Sequence, residues 1–132
     1  MIPIDSRAQE ILAKVQQLTS SPKVALVTDR TGEILELVVN GQMKKVVDIT
    51  DLSYIAKTVS MRYEIAGYNK LMDGLQMDIG IFKHVYALST MIDNDKILMV
   101  IVPKTTDLFE LIHVAEDVTD ISISPLDNLI EK

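Results

Sequence analysis

Residues 84–102, HVYALSTMIDNDKILMVIV, contain two apolar stretches on either side of a short polar connection. The second stretch, residues 97–102, is continuously apolar, which is typical of a strand that is buried on both faces. The connection Asp93-Asn94-Asp95 is too short to join two strands except as an antiparallel hairpin. We therefore predict two neighbouring antiparallel strands here.

The segments on either side extend this hairpin. Upstream, apolar residues alternate strictly from residue 75 to residue 81, and Phe82-Lys83 is again a hairpin connection, so a three-strand meander is predicted. Downstream, Thr106 or Asp107 is expected to open a helix, with Glu110 placed as in a capping box. One apolar face of that helix consists of Leu108, Leu111, Ile112 and Ala115.

The N-terminal third predicts a helix and a hairpin. Asp5-Ser6 resembles an N-cap, helical spacing continues to residue 18, and Ser20-Ser21-Pro22 ends it. Residues 24–27 and 33–39 are strand-like and flank the turn residues 29–32. Asn40-Gly41 is a strong hairpin signal, so residues 42–47 either fold back as a further strand or form a loop.

Residues 48–69 predict a second helix, capped by Asp48 or Thr50, with two apolar faces. At 100° per residue, one face falls within about 100° of arc and is expected to cover the sheet. It consists of Leu52, Ile55, Ala56, Val59, Tyr63 and Ala66. A second stripe lies roughly 150° away. It consists of Tyr54, Met61, Ile65 and Tyr68, with Thr58 among them.

The second stripe has the composition of a protein contact, since tyrosine and methionine are enriched there. One apolar stripe on a surface helix can be buried against the core of its own domain, but a second stripe needs another surface to cover it. The alternative is that the chain's own C-terminal tail, residues 119–132, covers it. This tail carries Ile121, Ile123, Leu126, Leu129 and Ile130 and is expected to dock.

Composition and charge indicate a single-domain protein and argue against partners such as nucleic acid or membranes. The 132 residues suffice for one domain with one core, and the sequence contains no cysteine. The ten lysines and three arginines are scattered and the net charge is −6, so neither nucleic acid nor an anionic membrane is an expected partner. No signal-like N-terminus and no apolar run of about 20 residues is present, which predicts a cytoplasmic protein without membrane insertion.

No arrangement in the sequence predicts catalysis, a cofactor or a metal site. The two histidines, His84 and His113, lack ligand spacing, and the acidic turn at residues 93–95 lacks the glycine and glutamate of an EF-hand. Glycine clusters for phosphate binding are missing too. Among the arginines, Arg62 lies beside the second stripe, where either an arginine finger or a solvated rim residue is conceivable, and the rim residue is favoured.

The element order α-β-β-α-β-β-β-α, the turn Asp29-Arg30-Thr31-Gly32 after an apolar strand, and the hairpin 91–101 together resemble the roadblock (dynein light chain) family over about residues 5–118. The resemblance implies an α+β fold of profilin-like type: a five-stranded antiparallel sheet in the order 2-1-5-4-3, helices 1 and 3 on one face, and helix 2 on the other. It implies a domain at residues 1–118 and an extension at residues 119–132.

The resemblance also implies a partner. Roadblock domains pair with a copy of themselves or a paralogue through helix 2 and strand 3, and serve as scaffolds or regulators of small Ras-like GTPases or of motor and signalling complexes. In that sheet order the third strand is an unpaired edge, which favours pairing with another chain, although Asp78 is a charge that could prevent it. The predicted dimer or partner interface comprises Tyr54, Thr58, Met61, Arg62, Ile65, Tyr68, Leu75, Met77 and Ile79.

A function of another class stays open. A small-molecule sensor on the same profilin-like architecture would have a concave pocket between the sheet and helix 2, and its ligand would raise the melting temperature.

Overall fold

The computed structural model describes residues 5–68, 70–71 and 74–119. The predicted order of elements is confirmed within this part of the chain. Three helices are present: α1 (Ser6–Leu18), α2 (Ile49–Gly67) and α3 (Leu108–Thr119). The strands are β1 (Lys23–Asp29), β2 (Ile34–Asn40), β3 (Met77–Ile81), β4 (Val85–Ile92) and β5 (Lys96–Pro103). The predicted tail after Thr119 lies outside the described residues.

The five strands form one antiparallel sheet in the order β2-β1-β5-β4-β3, as predicted. β5 pairs with both β1 and β4, so that Val100 lies between Ala25 and Leu88 in the register. This central position explains the continuous apolar run, because Ile97 to Pro103 are all buried. β2 and β3 are the two edge strands.

Helices cover both faces of the sheet, with α1 and α3 on one and α2 on the other. Alternate residues of β1 face opposite ways: Val27 packs with the helices α1 and α3, whereas Leu26 packs with α2. Full burial of one such side chain contributes about 1.5–3 kcal/mol to stability. The predicted placement of the helices is therefore confirmed.

The connection after β2 follows the second alternative, because it leads into α2 as a short helical turn without a further strand. Residues Gly41–Lys45 form a 3-10 helical turn, so an additional strand at residues 42–47 is wrong. Asn40 has extended backbone geometry, and its side-chain oxygen accepts a hydrogen bond from the Lys23 backbone N–H at 2.8 Å, so Asn40-Gly41 does not form a type I′ turn. Met43 is buried in the core beneath α2, which draws the segment inward.

Helix caps follow the sequence in all but one detail. Asp5 caps α1 and Asp48 caps α2 through side-chain oxygens. Asp107 accepts from the Phe109 N–H at 2.8 Å at the start of α3. The capping-box role of Glu110 is wrong, because its carboxylate instead accepts a hydrogen bond from the Thr19 hydroxyl at 2.9 Å and ties α3 to the end of α1.

The turn between β1 and β2 packs directly against helix α2. The Asp29 carboxylate holds the turn by accepting from the Thr31 N–H at 2.9 Å and the Glu33 N–H at 3.0 Å. Burial opposes ionisation of Asp29, but a hydrogen bond from the Thr31 hydroxyl at 2.6 Å, together with these backbone bonds, outweighs it and lowers the pKa of Asp29. Gly32 has a φ of +90°, and a Cβ there would lie 2.7 Å from the Cα of Lys57. The turn thus fixes where α2 lies.

Candidate protein-interaction surface

The inner face of α2 is held by packing and by two hydrogen bonds, one buried and one partly buried. Leu52, Ala56, Val59 and Tyr63 are buried, as predicted. Ile55, placed on the same face by its spacing, remains partly exposed, and Ala66 is half-buried. Ser60, which the spacing places among polar positions, is buried, and its hydroxyl donates to the Arg30 backbone carbonyl in the β1–β2 turn.

Tyr63 carries a polar group into this inner face. Its hydroxyl lies 3.1 Å from the Ser89 hydroxyl of β4, and both residues are buried. Burial raises the pKa of Tyr63 to about 12, with a smaller contribution from the nearby Asp78 carboxylate. Tyr63 therefore stays protonated and ties α2 to the sheet.

The second apolar stripe of α2 lies on the outside of the molecule. We name it the outer stripe, and it consists of Tyr54, Met61, Ile65 and Tyr68. Their exposed fractions are 77%, 58%, 63% and 78%. Thr58, exposed among them, donates its hydroxyl hydrogen bond to the Tyr54 carbonyl. Counted at 100° per residue, this stripe points roughly 170° from the buried residues of α2. No described segment of the chain covers it.

The strand β3 leaves backbone groups unpaired, whereas most of its apolar side chains pack against the core. It pairs only with β4 in the described sheet, so its other side carries unpaired N–H and C=O groups. Met77 and Ile79 are half-buried against the core under α1 and α3. Leu75 precedes the strand and packs against the core under α2. The side chains of these three predicted interface residues therefore pack partly against the core.

Arg62 and Asp78 join the helix to the edge strand. The Arg62 Nη2 lies 2.9 Å from the Asp78 Oδ2, with about half of the arginine side chain exposed. Asp78 thus points toward α2 and does not project from the edge. Its Oδ2 is buried and makes no aligned hydrogen bond, so the contact with Arg62 is an ion pair.

The two sides of α2 face different surroundings. Arg62 and Ile55 border an apolar groove that runs toward β3 and β4. Met61 borders a separate depression near Arg30 and Thr31 of the β1–β2 turn. The outer stripe lies between these two sides, so the helix presents distinct surfaces toward the β3 edge and away from it.

Several exposed apolar residues are absent from the predicted interface. Ile81, the last residue of β3, and Phe82, which follows it, have more than half of their surface exposed. The same holds for Val46, before α2, and for Ile49 at its start. Alternation places Ile81 in the strand. Periodicity alone does not predict that the Ile81 side chain is exposed, because its exposure depends on how far α3 extends over the sheet.

The residues considered for chemistry are dispersed. The described part of the chain holds no group of three histidine, aspartate or glutamate residues that could bind a metal ion. His113 lies 3.3 Å from Glu116 on the same helix. Arg7 is paired with Asp93, whose turn has positive φ at residues 93 and 94, and Arg30 donates to the Asn94 carbonyl. All three arginines are thus engaged within the chain.

No helix in the described ranges has the length and hydropathy that crossing a bilayer requires.

Comparison with solved structures identifies the fold. The gliding protein MglB from Thermus thermophilus aligns with a TM-score of 0.72 and 16% identity, covering 91% of this chain and 88% of that one. MglB from Myxococcus xanthus gives a TM-score of 0.68 and 17% identity, covering 91% and 90%. A Roadblock/LC7 domain from Streptomyces avermitilis gives 0.58 and 13%, covering 89% and 95%.

These matches span nearly the whole of both chains, so the roadblock/LC7 fold is shown. The related profilin architecture also aligns, through profilin from Schizosaccharomyces pombe at a TM-score of 0.60 and 12% identity over 87% of this chain and 94% of that one. No family model matches the sequence, and no curated protein matches it.

Proposed function

We propose that this protein is a non-catalytic, cytoplasmic interaction module that pairs with a copy of itself or a roadblock paralogue and scaffolds or regulates a small Ras-like GTPase or a motor or signalling complex. The observation that carries the proposal is the outer stripe: two tyrosines, a methionine and an isoleucine on one helix, all more than half exposed. Aromatic side chains and methionine are the residues that protein interfaces favour.

The unpaired edge of β3 supplies the second part of the surface. Antiparallel pairing of two β3 strands would extend the sheet across both chains and satisfy backbone groups that are otherwise left to water. Ile79 and its neighbours need not move for this, because only the backbone is required. MglB has been solved in a tetrameric arrangement, which is in keeping with self-association of this fold.

The geometry of α2 suggests how two partners could be accommodated. Pairing through β3 would place the second copy on the side of α2 that carries Arg62 and Thr58. Met61 and Tyr68 point to the other side of the stripe and would remain available. We assign the side near β3 to pairing and the Met61 side to the GTPase or adaptor protein, with Tyr54 and Ile65 at their boundary.

The GTPase itself is inferred from the resemblance, so it needs a direct test. Purified full chain would be titrated with small Ras-like GTPases from the same genome, each loaded with GDP or a non-hydrolysable GTP analogue. We expect a dissociation constant near the micromolar range for at least one nucleotide state. Met61→Glu with Tyr68→Glu should abolish binding, while Lys14→Glu on the opposite face of the sheet should not. Equal binding by all variants would contradict the assignment.

A second candidate function, a small-molecule sensor, is favoured by one observation. An apolar groove of about 510 Å³ lies between α2 and the sheet, which is where a sensor on this architecture would hold its ligand. Its volume is within the range of small-molecule sites, about 300–1,000 Å³.

A further inference from the structure

On the face of the sheet that carries α1 and α3, the helices leave the last strand partly uncovered. α1 packs on β1 and β2, and α3 packs on β4, so β3 lies at the rim of the area that they cover. Met77 and Ile79 are half-buried there, packed against the core. Ile81, which alternation places on the same face, is 66% exposed. A strip of apolar side chains therefore remains open beside α3.

Helix α3 extends this strip with apolar side chains of its own. Ile112 is half-buried against the core, and Phe109 is 70% exposed. At 100° per residue the two lie about 60° apart around the helix, so they share one side of it. We name this surface the β3 shelf, and it consists of Met77, Ile79, Ile81, Phe109 and Ile112. Apolar surface of this extent is usually covered by another segment or by a partner.

The last described helix brings the chain to one end of the shelf. β5 ends near the level of Ile81 in the sheet, since Ile81 pairs with Tyr86 and Tyr86 pairs with Val102, and α3 begins soon afterwards. The helix then runs back along the sheet, and its last residue, Thr119, borders the same depression as Met77. The residues that follow Thr119 therefore start at the Met77 end of the shelf.

The segment that follows has the length and the composition to cover the shelf. It comprises thirteen residues, 120–132, and its apolar members are Ile121, Ile123, Leu126, Leu129 and Ile130. The shelf is about 13–15 Å long, taken from the rise per residue along β3 or along α3. Thirteen residues span about 20 Å at the rise of a helix and about 43 Å when extended. The segment can therefore reach from one end of the shelf to the other.

We propose that residues 120–132 dock on the β3 shelf of their own chain. The segment follows α3 back from Thr119, and its apolar side chains cover Ile81 and Phe109. The shelf lies on the face of the sheet opposite α2, so the docked segment leaves the outer stripe and the Arg62 side of α2 open for partners. It contacts the side chains of β3 and leaves the backbone edge of that strand free to pair. The docking goes beyond the proposed function and does not depend on it.

A paramagnetic label on the segment tests where it lies. The native sequence contains no cysteine, so Asn128→Cys provides a single site for a nitroxide on the full chain. Isoleucine methyl groups observed by NMR report which surface is close to the nitroxide. The shelf provides Ile79, Ile81 and Ile112, and α2 provides Ile55 and Ile65. We expect the shelf signals to be lost and the α2 signals to be kept. Loss of the α2 signals alone, or no loss at all, would overturn the proposal.

A mixed sample distinguishes docking within one chain from docking on a second copy. The nitroxide is carried by one set of chains without methyl labels, and the methyl labels by another set without a nitroxide. Signal loss at the shelf should then be smaller than within a single chain. An equal or greater loss in the mixed sample would mean that the shelf is covered by another copy, and same-chain docking would be wrong.

Stability measurements on the full chain provide an independent readout. Phe109→Ser should lower the melting temperature by about 4 °C, because it removes an apolar contact with the segment. Leu126→Ser with Leu129→Ser should lower it by a similar amount. The three changes together should add little to either, since both remove the same contact. Val46→Ser, at an exposed apolar residue before α2, is the control, and its effect should simply add to that of the tail changes. Additive effects of Phe109→Ser and the tail changes would contradict the docking.

Discussion

The two faces of helix α2 are built from similar residues and have different roles. On the inner face, Leu52, Val59 and Tyr63 are buried against the sheet. On the outer stripe, Tyr54, Ile65 and Tyr68 are exposed to solvent. The apolar residues of the inner face and those of the outer stripe both raise the mean hydropathy of the helix, so hydropathy does not distinguish them. The difference is their neighbours: the inner residues pack against β1, β5 and part of β4, while no described segment covers the outer residues. Apolar side chains on the first face stabilise the fold, and those on the second remain exposed to solvent in the single chain.

The largest expected effect separates the two faces by stability. Leu52→Ala should lower the free energy of unfolding by about 3 kcal/mol, since it removes buried methylenes and leaves a cavity. Ile65→Ala on the outer stripe should change it by less than about 0.5 kcal/mol. Urea denaturation at the lowest practical protein concentration measures both. A similar loss for both variants would mean that the chain's own tail covers the stripe.

A change to alkaline pH tests the buried Tyr63 hydroxyl of the inner face. Tyr63 has a folded pKa of about 12 against an ordinary value of 10, so below pH 10 its phenol is protonated whether the chain is folded or unfolded. Between pH 10 and 12 the unfolded chain loses this proton first, and stability should fall as the pH rises, by about 3 kcal/mol in total.

The matched variant for this effect is Tyr63→Phe, which cannot ionise. Its free energy of unfolding should fall less steeply than that of the native sequence over pH 10–12, with chemical denaturation at each pH as the measurement. Identical slopes would show that the Tyr63 hydroxyl is reached by solvent.

The contact between α2 and the β1–β2 turn at Gly32 gives a further test. Gly32→Ala should cost about 2 kcal/mol, because alanine is strained at positive φ and its Cβ would meet the backbone of Lys57. Gly67→Ala is the control, since nothing lies within 4 Å of its would-be Cβ, and it should be neutral or slightly stabilising. Thermal unfolding compares the two variants, and an equal response would show that the turn does not hold the helix.

The smallest expected effect concerns the ion pair that links helix and edge strand. Arg62 is half exposed, so solvent screens its interaction with Asp78. A double-mutant cycle with Arg62→Gln and Asp78→Asn should give a coupling free energy of less than about 1 kcal/mol. A much larger coupling would show that the pair fixes β3 to α2 and that the edge is not free to pair alone.

Some of this architecture follows from the sequence and some does not. The strand-like runs of β1 to β5 and the two periodic stripes of α2 are local patterns, so the strands and the exposed stripe could be predicted from them. The order of the strands in the sheet was implied by the family resemblance. The 3-10 turn after Asn40 depends on burial of the Met43 side chain in the core. The roles of Glu110 and Ser60 depend on partners 91 and 30 residues away in sequence, Thr19 and Arg30. Such tertiary contacts leave no local signal.

The interface residues divide in the same way. Periodicity alone places Tyr54 and Tyr68 on the surface. The half-burial of Met77 and Ile79 and the pairing of Arg62 with Asp78 depend on how α3 and α2 lie across the sheet, which no single segment encodes.

The central claim is that the β3 edge and the adjoining side of α2, as far as Tyr54 and Ile65 of the outer stripe, form a pairing surface. Static light scattering at micromolar concentration tests it most directly, on the native sequence and on Tyr54→Glu with Ile65→Glu. The native chain should show twice the 14.8 kDa mass of one chain, and the variant should show the single mass with an unchanged circular dichroism spectrum. A native chain that scatters as a clean monomer would contradict the claim.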